Sequence, residues 1–108
     1  MSDQRGLLLF MTDVNPALEE EFNRWYEKEH LPERMAVPGF LNARRFRCVE
    51  GPGPKFLALY DLESAEVLRS EPYLRIMGAN KSPWTLRMEA NFANARRNVY
   101  TMISERKR

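Results

Sequence analysis

A single cysteine, Cys48, occurs in this 108-residue sequence, so no disulfide can close within the chain. That usage suits a reducing compartment. Cys48 falls in an expected strand, where it reads as a small buried hydrophobe rather than a thiol nucleophile. Histidine is equally scarce: His30 stands alone, and one His with one Cys at no ligand spacing makes no metal site. Only five glycines are present, with no phosphate-cradling loop and no nucleophile elbow among them, so no cofactor is expected. No apolar run reaches the length of a membrane span, and Leu7–Met11 is too short for the core of a signal peptide. The chain therefore reads as cytoplasmic, with no membrane partner. A net charge of +2 falls short of the concentrated basic face that a nucleic-acid groove needs, so no nucleic-acid partner is expected. The closing run Arg106-Lys107-Arg108 reads as a solvated tail.

What is present is the balance of a globular protein, 44% hydrophobic and 30% charged, at a length that suits a single domain over residues 1–108. Its richest stretch runs from Asn15 to Phe40. Asn15 is a helix cap and Pro16 fits the first helical position, where no N–H is needed. Glu19, Glu20 and Glu21 follow, at the positive end of the helix dipole. Leu18, Phe22, Trp25 and Glu29 keep the 3-4 spacing of one helix face, and His30 lies four residues beyond Tyr26, on the same side. Pro32 disfavours helical geometry at Leu31, so the helix is expected to end or kink just past His30 and leave the ring near solvent or a cavity. Pro38-Gly39 marks a turn into a strand beginning at Phe40.

The other elements follow from alternation and turn chemistry. Leu7–Met11 reads as a buried strand. Phe40–Val49 alternates, with Phe40, Asn42, Arg44, Phe46 and Cys48 on one face. The segment Glu50–Pro54 is a turn, and Phe56–Leu62 is the second strand of the hairpin it closes, with Phe56, Ala58, Tyr60 and Leu62 facing one way. A helix capped by Ser64 is expected to be broken in two by Pro72, a short helix to run from Trp84 to Ala90, and a last strand to run from Ala95 to Ile103. This βαββαβ order predicts an α+β, ferredoxin-like fold with a four-stranded antiparallel sheet and helices on one face. Its other face is left bare, and the economical cover is a second copy of the chain, a homodimer.

The run Trp25-Tyr26-Glu27-Lys28-Glu29-His30-Leu31-Pro32-Glu33-Arg34, followed by Val37-Pro38-Gly39-Phe40 and Ala43-Arg44-Arg45-Phe46, resembles the EthD-like branch of the dimeric α/β-barrel superfamily. The spacing from Tyr26 to His30 and the Pro-Gly-Phe strand entry carry the likeness. The resemblance implies a homodimer whose two sheets form a barrel, with a small-molecule pocket in each subunit between sheet and helices. The family histidine falls on His30. Superfamily relatives include isomerases, cyclases, cofactor-free monooxygenases, haem-degrading enzymes and proteins with no known reaction.

His30 is the one side chain suited to proton transfer near neutral pH, and is the expected general acid/base. Tyr26 shares its face. Arg44, Arg45 and Arg47 can grip a carboxylate or enolate, although pairing with the acidic first helix or another subunit accounts for at least two of them; Arg44 is kept as the candidate. Tyr60 and Asn98 can donate hydrogen bonds to an oxyanion, and Trp84 can wall a flat ring. Trp25 is placed in the core. The expected ligand is a small cyclic, aromatic or lactone-type metabolite undergoing isomerisation, cyclisation or dehydration. The alternatives are a non-catalytic binding or accessory protein of the same fold, or a cofactor-free monooxygenase.

Overall fold

Leu7–Met11 lies within a longer strand, β1 (Gly6–Val14), which is one of the two central strands of its sheet, and this explains its continuous apolar character. The computed structural model describes residues 4–108. β2 (Phe40–Arg47), β3 (Phe56–Leu62) and β4 (Phe92–Thr101) complete one antiparallel sheet in the order β2-β3-β1-β4. Helical segments connect β1 to β2 and β3 to β4 on one side, which is the expected ferredoxin-like arrangement.

The alternation in β3 shows how the core is filled. Phe56, Ala58, Tyr60 and Leu62 are buried while the residues between them are only half-buried. Leu8, Thr12 and Val14 of β1 lie on the same inner side. Phe22, Trp25, Tyr26, Tyr73 and Met88 descend onto them from the helices. On the outer side, Leu9 stands opposite Leu59 and Met11 opposite Leu57, with no further layer over them among the described residues.

Several local expectations are corrected. Of the two outcomes expected for the first helix, an end or a kink just past His30, the end does not occur, and the turn before that point is distorted instead. The helix runs as α1 (Glu19–Trp25), a π turn (Tyr26–His30) and α2 (Leu31–Met35). The Leu31 N–H reaches back to the Tyr26 carbonyl, widening the turn by one residue, and Leu31 keeps helical angles (φ −65, ψ −46). Pro32 thereby falls in the first turn after the wide one, where a missing N–H does least harm. Phe40 does not share a face with Asn42, Arg44 and Phe46. A register shift between Phe40 and Asn42 turns it inward, 5.8 Å from Tyr60 and 5.9 Å from Tyr73 between ring centroids.

Cys48 is neither in a strand nor buried. It lies past β2, exposed, with its thiol donating to the Glu50 carbonyl at 3.4 Å. The two helical pieces expected after Ser64 are present, with the break at Ser70 rather than at Pro72. After a 3-10 segment (Ala65–Arg69), Ser70 caps α3 (Glu71–Arg75), and Pro72 sits in its first turn. The short helix α4 (Pro83–Glu89) is capped by Ser82, and β4 begins at Phe92 rather than Ala95. Gly39 has φ +99, and a Cβ there would stand 2.5 Å from Val67 Cγ2, so both backbone angle and space require glycine.

Candidate functional site

Between the helices and the inner face of the sheet lies a cavity of about 260 Å³. Its walls are ring faces from Phe10 and Phe92 on the sheet and from Trp25 and Tyr26 on the helices. The wide turn sets His30 beside them. The imidazole stacks on Trp25 (4.4 Å, 27°) and meets the edge of Tyr26 (5.0 Å, 84°). Trp25 is itself fixed: its Nε1–H donates to Thr85 Oγ1 at 3.1 Å. The Thr85 hydroxyl in turn donates to Glu29 at 2.9 Å, and the Ser82 hydroxyl donates to the same carboxylate oxygen. Tyr26 is braced from β2, where the Arg45 guanidinium lies 4.3 Å over its ring while bonding Glu27 (3.1 Å) and Asn23 (2.6 Å).

Burial dominates the electrostatics. His30 is only 8% exposed and its Nδ1 has no hydrogen-bond partner among the described residues. Loss of hydration, reinforced by the positive charges of Arg34, Lys81 and Arg45, pushes its pKa down to about 2. The ring is therefore neutral at physiological pH. Burial also pushes the Tyr26 hydroxyl up to about 12 and raises Tyr60 further, with Tyr26 as its next influence. The Tyr26 and Tyr60 hydroxyls are close enough to shift each other's ionisation, yet Tyr60 Oη has no partner within ordinary hydrogen-bond geometry among the described residues.

His30, Tyr26 and Tyr60 thus meet at one cavity. Arg44, Trp84 and Asn98 are elsewhere. Arg44 is on the outer face, bonded to Asp61 at 3.1 Å. Trp84 donates its Nε1–H to Glu21 at 3.0 Å, where Arg87 also binds, at the α1–α4 seam. Asn98 is exposed and pairs with Leu9 on the outer side. The cavity instead takes polar groups that the sequence does not single out: Arg34, Tyr73, Lys81, Glu89 and Arg97. Arg34 had a visible signal, since it lies four residues after His30 on a helix that continues. Arg97 stood on one side of an alternating strand, and only the sheet order tells which side meets the helices.

No group of three or more His, Cys, Asp or Glu residues is placed to hold a metal ion among the described residues. Nor is any helix among them long and apolar enough to cross a membrane.

A family model for a domain of unknown function, DUF4286, matches residues 7–81. The chain belongs to the DUF4286 family. No curated protein matches its sequence. Solved structures do resemble this DUF4286 chain. One is an uncharacterised NIPSNAP-like domain protein from Burkholderia xenovorans, 15% identical, covering 99% of this chain and 92% of that one, with a TM-score of 0.72. Another is a mutant of SnoaB, a cofactor-independent oxygenase from Streptomyces nogalater, 15% identical, covering 96% and 97%, with a TM-score of 0.65. A third is an ethyl tert-butyl ether degradation (EthD) family protein from Bacillus halodurans, 14% identical, covering 93% and 99%, with a TM-score of 0.61. At such identities the likeness is one of fold alone, the ferredoxin-like arrangement described above.

Proposed function

We propose that the chain is a single EthD-like domain of a cytoplasmic homodimer. It acts, without a cofactor, on a small cyclic or aromatic metabolite held in the cavity, and His30 exchanges a proton with that ligand. The observation that carries this reading is the meeting of His30, Tyr26 and Tyr60 around one aromatic-walled space, with His30 Nδ1 and Tyr60 Oη lacking partners. Buried polar groups are normally satisfied, and a ligand that supplies the missing bonds gains the free energy of doing so. Low basicity sets the direction of the work: a neutral imidazole can accept a proton or donate a hydrogen bond, but in the empty cavity it has no proton to deliver. Isomerisation or dehydration begun by proton abstraction, and a cofactor-free oxygenation that starts from a deprotonated ring, then require that a bound ligand restore the basicity of the imidazole. Replacing His30 by Gln, which keeps a polar planar group, is expected to lower turnover at least a hundredfold on a true substrate, the usual scale of a lost general base. Full turnover in that variant would take His30 out of the chemistry, whereas binding without turnover in the parent protein would leave the second reading, a ligand-binding or accessory protein, which the depressed His30 basicity independently favours.

The homodimer is supported by the outer face. Leu7, Leu9, Met11, Leu57 and Leu59 lie together there, with Phe46 45% and Tyr100 47% exposed at its borders. That is a patch a soluble monomer rarely presents. The reducing compartment is supported by the exposed free thiol of Cys48.

A further inference from the structure

Two guanidinium groups are anchored to one tyrosine at the edge of the cavity. Arg34 lies over the Tyr73 ring, 5.7 Å from its centroid. Arg97 donates to the Tyr73 hydroxyl at 3.2 Å. Bringing two like charges onto one side chain is unfavourable unless something negative sits with them. The other charges of the cavity do not supply it. Lys81 and Glu89 satisfy each other at 2.9 Å. Arg34 spends Nη1 on Glu33 at 3.2 Å, while its Nη2 has only the Met77 sulfur, 3.7 Å away. A thioether is a weak acceptor, so this arm of a side chain that is 7% exposed keeps donor capacity unused. Arg97 has no carboxylate partner among the described residues. One positive charge is therefore left uncompensated, with strong donors on two sides of it.

We propose that Arg34 and Arg97 form the anion-holding end of this cavity, whose occupant is a flat molecule of one or two rings bearing a single carboxylate. This deepens the functional reading above and rests on its assignment of the cavity as a ligand site. One net positive charge selects a monoanion over a phosphate ester. Planar guanidinium forks match a carboxylate's two oxygens. The rings of Phe10, Trp25, Tyr26 and Phe92 offer faces and edges for a flat body. A volume of about 260 Å³ falls just below the common range of ligand pockets, about 300–1,000 Å³, which limits the body to one or two rings. With its carboxylate at the Tyr73 end, such a ligand extends its ring along Trp25 toward His30 and Tyr60, where the unpartnered polar atoms are.

The test compares 2-naphthoate with its neutral counterpart 2-naphthalenemethanol. Binding to the purified protein is measured by calorimetry and by the indole N–H resonance of Trp25. The carboxylate is expected to bind at least tenfold more tightly than the alcohol. In Arg97→Gln, whose side chain is exposed and outside the core, that ratio is expected to fall at least fivefold while the alcohol's affinity stays unchanged. Equal affinities in the parent protein, or an unchanged ratio in Arg97→Gln, overturn the inference and leave the cavity as a site for neutral ligands. Binding of neither molecule overturns the inference together with the assignment of the cavity as a ligand site.

Discussion

The two faces of the one sheet are built from the same strands yet meet different fates. The inner face is covered by helices, and its aromatic residues are buried or line the cavity: Phe22 of α1, 0% exposed, packs on Phe56 and Phe92 of that face at 5.0 and 5.9 Å. The outer face carries a comparable set of apolar side chains, but its phenylalanine, Phe46, is 45% exposed and touches the Arg44 guanidinium at 6.0 Å. Both faces alternate out of the same short segments. What separates them is not hydrophobicity but which parity of each strand the connecting helices cross. Polar chemistry follows the same division: unpaired polar atoms gather inside, while the outer charges of Arg44 and Asp61 are matched.

The same substitution made in the helix that covers the inner face and on the outer face itself is the strongest test of that contrast. Phe22→Ala empties a filled position and is expected to cost about 3–5 kcal/mol in denaturant unfolding. Phe46→Ala in an uncovered sheet is expected to stay within about 0.5 kcal/mol, as for other surface positions. If a second copy covers the outer face, the Phe46→Ala cost instead grows with protein concentration, because dissociation is then linked to unfolding. Concentration-dependent unfolding midpoints for the two variants separate these outcomes.

A second expected effect is confined to the inner face and is set by pH. Burial pushes the His30 pKa in the folded chain down to about 2, against an ordinary value of 6.5. Between those limits the unfolded chain binds a proton that the folded chain refuses, so stability rises with pH and is lost on acidification below about 6.5. The slope from this one group is at most about 1.4 kcal/mol per pH unit. Unfolding midpoints measured between pH 7 and pH 5 should therefore fall more steeply in the parent protein than in His30→Gln. Parallel curves would place a charged, hydrated imidazole where the structure has a buried neutral one.

The fold was legible because its signals are local. Alternation in Phe56–Leu62, the turn at Pro38-Gly39 and the caps Asn15 and Ser82 each specify an element without help from distant residues. The site was legible where periodicity is local: Tyr26 and His30 are a single helical spacing apart, and Tyr60 lies on the apolar side of the alternating β3. Its other half was not. Arg97 enters because β4 pairs with β1 in a register that sets it opposite Phe10, and no sequence period encodes that. Arg44 looked equally apt and points outward, because the shift after Phe40 sets the parity of the rest of β2. The π turn was hidden for a related reason. Pro32 signals a helix end, and only a hydrogen bond that skips one further residue lets the helix continue.

The smallest expected effect is at Arg44, and it sharpens the contrast with the inner guanidiniums. Its partner Asp61 is 3.1 Å away, and the two side chains are 47% and 31% exposed. Water screens such a pair, and holding two mobile side chains together offsets part of the attraction, so Arg44→Ala is expected to cost about 0.2–1 kcal/mol and less at high salt. It should also leave the carboxylate preference of the cavity untouched, since the sheet itself lies between Arg44 and that space. Loss of that preference in Arg44→Ala, with stability unchanged, would mean that the outer arginine reaches a ligand after all. The only route is around the edge of the sheet into the cavity of a second copy, which would move the anion-holding end from Arg34 and Arg97 to the seam between subunits.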